Sequence, residues 1–377
     1  MPDPIYLDYN ATTPVDPRVT SAIEPWLRQH FGNPSSSHVF GRRARQAVDR
    51  ARQQVAALIG AEPDEIVFTA SGSESNNMVI QGSARRARPG RAHLICSAIE
   101  HPAVLEPCLA MEERGHRLTV VPVDGRGLVS TAAVEAALAD DTTLVSVMHA
   151  NNEVGTIQPI AAIARLARAG GALSHTDAAQ SVGKIPVNVR ELGVDTLSIA
   201  GHKLYAPKGI GALYVRRGVE LPALIHGAGH EAGRRAGTES VPLIVGLGEA
   251  CRLAAEHLAA GESARLETLR ERLWRALEPV GDLRRHGARE HSLPNTLSVG
   301  FRGLEADRLL EAIAPVVAAS AGAACHSAGV SVSWVLHAMG VAPEWARGTL
   351  RLTIGRWTTE EEIDRAAEAV VAAVRRL

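Results

Sequence analysis

The chain has 377 residues, of which 46% are hydrophobic and 21% are charged, as in ordinary globular proteins. Its 40 lysine and arginine residues balance 41 aspartate and glutamate residues, and the formal net charge of -1 gives no electrostatic reason to expect nucleic acid or an anionic membrane as a partner. No segment approaches the roughly 18 consecutive apolar residues of a membrane span, and the N-terminus lacks the pattern of a secretory signal, so we expect neither.

The cysteine pattern excludes two further classes of protein. The four cysteines are Cys96, Cys108, Cys251 and Cys325, with no CxxC pair and no histidine cluster at metal-ligand spacing. We therefore expect neither a disulfide framework nor a metal site, and we predict a cytoplasmic protein whose thiols stay reduced.

Short apolar runs alternate with helix-like stretches between about residues 60 and 215. The runs are Ile66–Thr69, His93–Ser97, Leu118–Pro122, Leu144–His149, Ala172–His175, Thr196–Ala200 and Gly211–Val215. Alanine-rich stretches with helical spacing lie between them, for example Thr131–Ala139 and Ile160–Ala169. Strands that alternate with helices predict an α/β fold with a mostly parallel sheet covered on both faces.

A second, smaller unit is predicted after a long helical stretch at residues 251–277. Its predicted strands and helices are, in chain order, Asn295–Phe301, Glu305–Ala312, Leu350–Ile354 and Thr359–Leu377. We predict a large domain at residues 13–255 and a small domain formed by residues 1–12 and 256–377.

Polar or small residues come shortly after five of the predicted strands. These clusters are Ala70–Glu74, Glu100–Pro102, Asn151–Glu153, Asp177–Gln180 and Gly201–Lys203. In an open parallel sheet, ligands bind outside the carboxyl ends of the strands. One such cluster alone is most often a turn or a helix cap, but five at one edge of a sheet predict a binding site.

Together the clusters supply the groups that pyridoxal phosphate requires. Lys203 offers an amine for a Schiff base, and Asp177 offers a carboxylate for the pyridine nitrogen. His101 can stack on the ring, and Gln180 or Asn152 can donate a hydrogen bond to the phenolic oxygen. The predicted phosphate cradle comprises Gly72, Ser73 and His202.

The second half of the chain adds a cysteine and an arginine. Cys325 lies in a run of small residues at 320–329, which predicts an exposed loop. The neighbouring His326 favours the thiolate, the nucleophilic form of the cysteine. Arg351 can clamp a substrate carboxylate through two parallel hydrogen bonds, although an ordinary surface ion pair fits the sequence equally well.

These motifs resemble those of the cysteine desulfurases and selenocysteine lyases, within the class-V aminotransferase family of fold-type-I pyridoxal phosphate enzymes. The matching segments are Tyr6–Pro14, Phe31–Ser36, Glu100–Val104, Asn151–Gly155, His175–Gln180, Gly201–Lys203, Arg235–Glu239 and Leu350–Arg356. The resemblance covers nearly the whole chain. It implies a large domain with a mostly parallel seven-stranded sheet, a smaller α+β C-terminal domain with the catalytic cysteine loop, and a homodimer.

The resemblance also implies roles for individual residues. Lys203 carries the cofactor and acts as base and acid at the substrate Cα, and His101 stacks on the ring. Asn152 and Arg351 bind the carboxylate of L-cysteine, and Cys325 takes the sulfur as a persulfide while alanine is released. The implied cofactor-binding residues are Gly72, Ser73, His101, Asn152, Asp177, Gln180, His202, Lys203 and, from the other subunit of a homodimer, Thr238. The implied protein partner is a sulfur acceptor such as an iron–sulfur scaffold.

Local departures from the family pattern keep alternatives open. The run 322–327, with His326, is more similar to animal selenocysteine lyases, whereas Pro102 after the stacking histidine is typical of desulfurases. Ala200 stands where many desulfurases have a serine, so a hydroxyl near the phosphate is missing. The alternatives are a lyase acting on L-selenocysteine, a catalytically silent binding subunit and an ordinary aminotransferase. The retained lysine, clamp arginine and loop cysteine disfavour the silent subunit, and an aminotransferase has no use for the loop cysteine.

Overall fold

The computed structural model describes residues 3–86, 92–321 and 333–377. Its strands are β1 Ile5–Tyr6, β2 Ile66–Thr69, β3 His93–Ser97, β4 Arg117–Val121, β5 Thr142–Ser146, β6 Leu173–Asp177, β7 Thr196–Ala200, β8 Gly211–Val215, β9 Leu283–Arg285, β10 Thr296–Phe301, β11 Val317–Ala318 and β12 Thr349–Thr353. Its α-helices are α1 Pro17–Arg28, α2 Val39–Ile59, α3 Gly72–Arg86, α4 Pro102–Glu113, α5 Thr131–Ala137, α6 Ile160–Ala169, α7 Val189–Leu192, α8 Val241–Ala259, α9 Glu262–Leu277, α10 Ala306–Ile313, α11 Trp334–Ala338, α12 Pro343–Ala346 and α13 Glu360–Arg376. None of the helices in these ranges has the length and apolarity needed to cross a bilayer.

Seven strands form the large sheet, in the order β2-β8-β7-β6-β5-β3-β4. Strand β8 is antiparallel to both of its neighbours, and the remaining neighbouring pairs are parallel. The prediction of a mostly parallel seven-stranded sheet is therefore confirmed. Strand β5 ends at Ser146 rather than His149, yet the amides of Val147 and His149 still donate to the carbonyls of His175 and Asp177.

Helices cover both faces of this sheet, as the alternation of strands and helices predicts. On β2, Ile66 and Phe68 belong to the core beside α2 and α8, whereas Val67 belongs to the core beside α3 and α4. Successive side chains of a strand point to opposite faces, so one strand serves both cores. Both faces of β2 are therefore buried under helices.

A second core lies beneath the antiparallel sheet β12-β10-β9. Leucines of α9 pack there against Leu297 and Leu352, together with Ile363 of α13. The N-terminal segment joins the same core through Ile5 and Leu7. The domain boundary near residue 255 stays a prediction, and α8 runs without interruption across that position.

Candidate active site

A cavity of about 500 Å³ lies at the carboxyl edge of the large sheet. The structure brings nine of the predicted site residues together in its wall. These residues are Gly72, Ser73, His101, Asn152, Asp177, Gln180, His202, Lys203 and Arg351. All five polar clusters at the strand ends contribute, so the edge rule for parallel sheets located the cavity from the sequence.

Thr238 is not in this wall. It is exposed and lines a separate depression with Ala70 and Gly209. The sequence analysis assigned Thr238 to the site of a partner subunit, and that assignment stays a prediction.

Cys325, the predicted sulfur acceptor, lies outside the described residues. The other three cysteines are fully buried. A hydrogen bond with Cys108 and burial raise the pKa of Cys96, and burial raises the pKa of Cys251. A raised pKa keeps the thiols of Cys96 and Cys251 protonated, which is the inert state of a core cysteine.

Lys203 ends a short turn, Gly201–Lys203, that directly follows β7. Its ammonium faces the cavity and makes no hydrogen bond within the described ranges. Burial lowers the pKa of Lys203; Asp177 opposes this effect and Arg351 adds to it. A lowered pKa favours the free amine, which is the form that bonds to an aldehyde and accepts a proton.

Asp177 ends β6, and neighbouring groups fix both of its carboxylate oxygens. Asn76 donates through Nδ2 to Oδ2 at 2.8 Å, and the amide of Ala179 donates to Oδ1 at 2.9 Å. Each oxygen keeps a lone pair that can accept a further hydrogen bond. Asn76 was not among the predicted site residues, although its place one helical turn after Gly72 puts it on the same face of α3.

His101 is the N-cap of α4, which orients its ring. Its Nδ1 accepts a hydrogen bond from the amide of Ala103 at 3.0 Å, and Pro102 occupies the first helical position. Burial lowers the pKa of His101, and the charge of Lys203 lowers it further. The imidazole is therefore a neutral, flat group in the cavity wall, which is suitable for stacking on a ring.

The N-terminus of α3 also lines the cavity. The helix begins at Gly72, where a Cβ would lie only 3.2 Å from the Cβ of Ala200 at the end of β7. Glycine thus allows the helix end to approach the sheet, and free amides at a helix N-terminus attract phosphate. His202 lies beside it with its Nδ1 3.1 Å from the hydroxyl of Thr12; burial and Lys203 lower the pKa of His202 to about 4.

Arg351 lies on β12 and lines the same cavity. Its side chain is only 3% exposed, so the surface ion pair that the sequence allowed is not what the structure contains. Nη2 donates to Asp8 Oδ1 at 2.7 Å and Nη1 donates to the carbonyl of Asn152 at 3.1 Å. A guanidinium held in this way is pre-oriented for a carboxylate.

Three residues of this region had no role in the sequence analysis. Asn10 lines the cavity, and its carbonyl accepts from Gln180 Nε2 at 2.9 Å. Glu153 also lines the cavity. Burial raises the pKa of Glu153, and this effect outweighs the hydrogen bond donated by Ser333, which lowers it. Lys184 is buried behind Gln180. Asn10 and Glu153 lie within segments that match the family, which is a signal for them in the sequence, whereas Lys184 lies in none of these segments.

The arrangement fits pyridoxal phosphate on the chemistry of its groups. An amine without a hydrogen-bond partner in the described ranges shares the cavity with a carboxylate that neighbours hold in place. A helix N-terminus for phosphate and a neutral imidazole for the ring complete the set. The described residues contain no group of three or more histidine, cysteine or acidic side chains that could hold a metal ion.

Comparisons with known proteins agree with this chemistry. The family model of the class-V aminotransferases matches residues 5–366. The chain is 48% identical to the cysteine desulfurase IscS of Serratia proteamaculans, over 99% of this chain and 93% of that protein. A solved NifS-like protein matches with a TM-score of 0.92 and 38% identity, over 99% of this chain and 100% of that one. SspA, solved in complex with cysteine, matches with a TM-score of 0.82 and 37% identity, over 94% of this chain and 99% of that one.

Proposed function

The chain belongs to the class-V aminotransferase family, and we propose that it is a pyridoxal phosphate-dependent cysteine desulfurase that converts L-cysteine to L-alanine and retains the sulfur as an enzyme persulfide. The observation that carries this proposal is the meeting of Lys203, Asp177 and Arg351 in one cavity. The names of relatives at 48% identity support the sulfur chemistry.

Each wall of the cavity has a separate task. Pyridoxal phosphate, when bound, supplies a ring that accepts electron density from the substrate Cα. Asp177 would accept a hydrogen bond from the protonated pyridine nitrogen, and His101 would stack on the ring. The amides of Gly72 and Ser73, with His202, hold the phosphate at the positive end of α3.

Arg351 from the second sheet and Asn152 at the edge of the large sheet orient the substrate. Arg351 binds the carboxylate of L-cysteine. The side-chain oxygen of Asn152, which is buried and makes no hydrogen bond within the described ranges, accepts a hydrogen bond from the substrate. Lys203, as the free amine, removes the proton from Cα and later returns a proton to the carbon skeleton. The lowered pKa of Lys203 favours this form at neutral pH.

Cys325 is the proposed sulfur acceptor. Its thiolate attacks the sulfur of the substrate, a sulfur–sulfur bond forms, and the bond between sulfur and the substrate Cβ breaks. Alanine then leaves, and the sulfur stays on Cys325 as a persulfide. The buried thiols of Cys96, Cys108 and Cys251 offer no alternative acceptor among the described residues.

The proposal includes a homodimer and a protein that receives the sulfur. Support for the dimer comes from Thr238, which is exposed outside its own cavity and is available to complete the phosphate site of a second subunit. The persulfide needs a thiol-containing acceptor, for which an iron–sulfur scaffold is the proposed class.

Selenocysteine lyase activity is the second candidate, because His326 follows the loop cysteine as in the animal lyases. A selenol is far more acidic than a thiol, so selenium release does not require the loop cysteine. The names of the relatives and the solved complex of SspA with cysteine favour sulfur.

One experiment separates the candidates. Alanine release from L-cysteine and from L-selenocysteine is measured for the wild type, for Cys325→Ala and for the matched control Cys251→Ala. We expect Cys325→Ala to lose alanine release from L-cysteine and to lose the persulfide seen by mass spectrometry, while Cys251→Ala keeps both. Full turnover of L-cysteine by Cys325→Ala would refute the proposed mechanism, and a strong preference of the wild type for L-selenocysteine would favour the lyase.

A further inference from the structure

The chain contains only three lysines, and two of them lie at the active site. Lys208 is exposed, Lys203 lines the cavity, and Lys184 is 8% exposed and lies behind the wall. Among the described residues, Lys184 forms no ion pair. Burying a lysine without a carboxylate partner costs folding free energy, so we expect this side chain to have a role at the site.

The ammonium nitrogen of Lys184 donates two hydrogen bonds to side-chain amides. It lies 2.7 Å from Oε1 of Gln180 and 2.9 Å from Oδ1 of Asn10. The NH₂ group of Gln180 has the carbonyl of Asn10 as its acceptor, so the atom that faces Lys184 is Oε1, which accepts a hydrogen bond from the lysine in either protonation state. The NH₂ group of Gln180 therefore points the other way, where one N–H donates to the carbonyl of Asn10 and the second is left for the cavity.

Asn10 connects Lys184 by hydrogen bonds to the residues that are proposed to bind the substrate. Its Nδ2 donates to the carbonyl of Asn152 at 3.1 Å, and Arg351 donates to that same oxygen at 3.1 Å. Lys184 is therefore connected to two parts of the site through hydrogen bonds to Gln180 and Asn10. Gln180 is the proposed donor to the cofactor ring, and Asn10 shares the carbonyl of Asn152 with Arg351. The backbone carbonyl of Lys184 also accepts from Ser263 at the start of α9.

The environment of Lys184 favours its neutral form. Burial lowers the pKa of Lys184 well below its usual value, and the charges of Lys203 and Arg351 lower it further. A neutral amine has two N–H groups, the same number as the hydrogen bonds that Lys184 donates. In this form it orients both amides without adding a further positive charge beside Arg351.

We propose that Lys184 is a positioning residue, which holds the amide of Gln180 so that its NH₂ group donates to the phenolic oxygen of the cofactor and holds Asn10 as the link to Arg351. The inference rests on the proposed function, because it assumes that pyridoxal phosphate occupies the cavity. It assigns Lys184 no contact with the cofactor or the substrate, since Lys184 does not line the cavity.

Two variants of equal side-chain length test the role. Lys184→Gln keeps two N–H donors, and Lys184→Met keeps none. The measurements on purified protein are the dissociation constant of pyridoxal phosphate and the pH midpoint of the visible absorption change of the bound cofactor. The melting temperature of each apo variant controls for folding, and Lys184→Leu serves as the donor-free variant if Lys184→Met does not accumulate.

A donor on the phenolic oxygen stabilises its ionised form, so a misplaced Gln180 moves the spectral midpoint upward. We expect Lys184→Met to raise the midpoint by roughly half a unit to one unit and to weaken cofactor binding about three- to tenfold. We expect Lys184→Gln to stay nearer the wild type in both measurements. Because Lys184 acts through Gln180, Lys184→Met should add no further shift to Gln180→Leu in the double variant.

The contrary results are distinct. A donor-free variant with the wild-type midpoint and dissociation constant would overturn the inference, and so would additive shifts in the double variant. Failure of the wild type to bind pyridoxal phosphate at all would instead overturn the proposed function.

Discussion

The two walls of the cavity are built in different ways. The sheet wall consists of short segments that each follow one strand, so His101, Asp177 and Lys203 are positioned by local structure. The opposite wall depends on contacts between segments far apart in the chain. Arg351 is held there by Asp8, 343 residues away, and by Asn152, 199 residues away. The cofactor wall is thus set by the sheet itself, whereas the substrate wall exists only when the second core is packed against it.

The largest expected effect concerns the sheet wall. Lys203→Ala removes both the covalent attachment and the proton carrier, so alanine formation from L-cysteine should fall by about 10⁴-fold. Lys208→Ala, at an exposed lysine five residues later, should retain wild-type activity. Steady-state assays of both variants with added cofactor provide the measurement, and substantial activity in Lys203→Ala would show that the sheet wall does not carry the chemistry.

The next effect concerns the substrate wall. Arg351→Lys keeps the charge but loses the fork that bonds to Asp8, Asn152 and a carboxylate together, so kcat/KM for L-cysteine should fall by about 100-fold. Cofactor affinity should change little, because the sheet wall is intact. Arg347→Lys, at an exposed arginine nearby, is the control. A loss confined to cofactor binding would reverse the assignment of the two walls.

The contrast also explains how much could be predicted from the sequence. The seven strands and their polar ends follow from period and turn chemistry, and four of the strands begin and end as predicted. Residues such as Asn76 and Lys184 were missed because their roles come from hydrogen bonds to Asp177 and Gln180 that no local pattern encodes. Nothing in the sequence distinguishes Lys184 from an exposed lysine until the fold buries it.

A third effect concerns stability at the sheet wall. Burial lowers the pKa of His175 to about 4, and Ser146 and Ser198 lie within hydrogen-bond distance of its ring nitrogens. Between pH 6.5 and 4 the unfolded chain binds a proton at His175 that the folded chain does not. The contribution of neutral His175 to the free energy of unfolding is therefore fully present above pH 6.5 and falls with acidification.

The free energy of unfolding should lose roughly 2 kcal/mol from His175 between pH 6.5 and pH 5. His175→Gln should flatten this dependence in denaturant titrations, and His226→Gln, at an exposed histidine, should leave it unchanged. Equal slopes for the wild type and His175→Gln would contradict the prediction.

The smallest expected effect is a gain in affinity for pyridoxal phosphate. Ala200 ends β7 beside Gly72, at the N-terminus of α3. Ala200→Ser adds a hydroxyl at the predicted phosphate cradle, so the dissociation constant of pyridoxal phosphate should fall about three- to tenfold. Ala70→Ser, just outside the cavity wall, is the control. Unchanged affinity in Ala200→Ser would mean that the phosphate does not lie at this end of the cavity.

The most direct test of the account asks which lysine binds the cofactor. Borohydride reduction of the protein loaded with pyridoxal phosphate, followed by peptide mass spectrometry, fixes the answer because the chain has only Lys184, Lys203 and Lys208. The account predicts the cofactor mass on the peptide with Lys203 and on no other. Labelling of Lys184, or no labelling under conditions where the visible cofactor band is present, would contradict it.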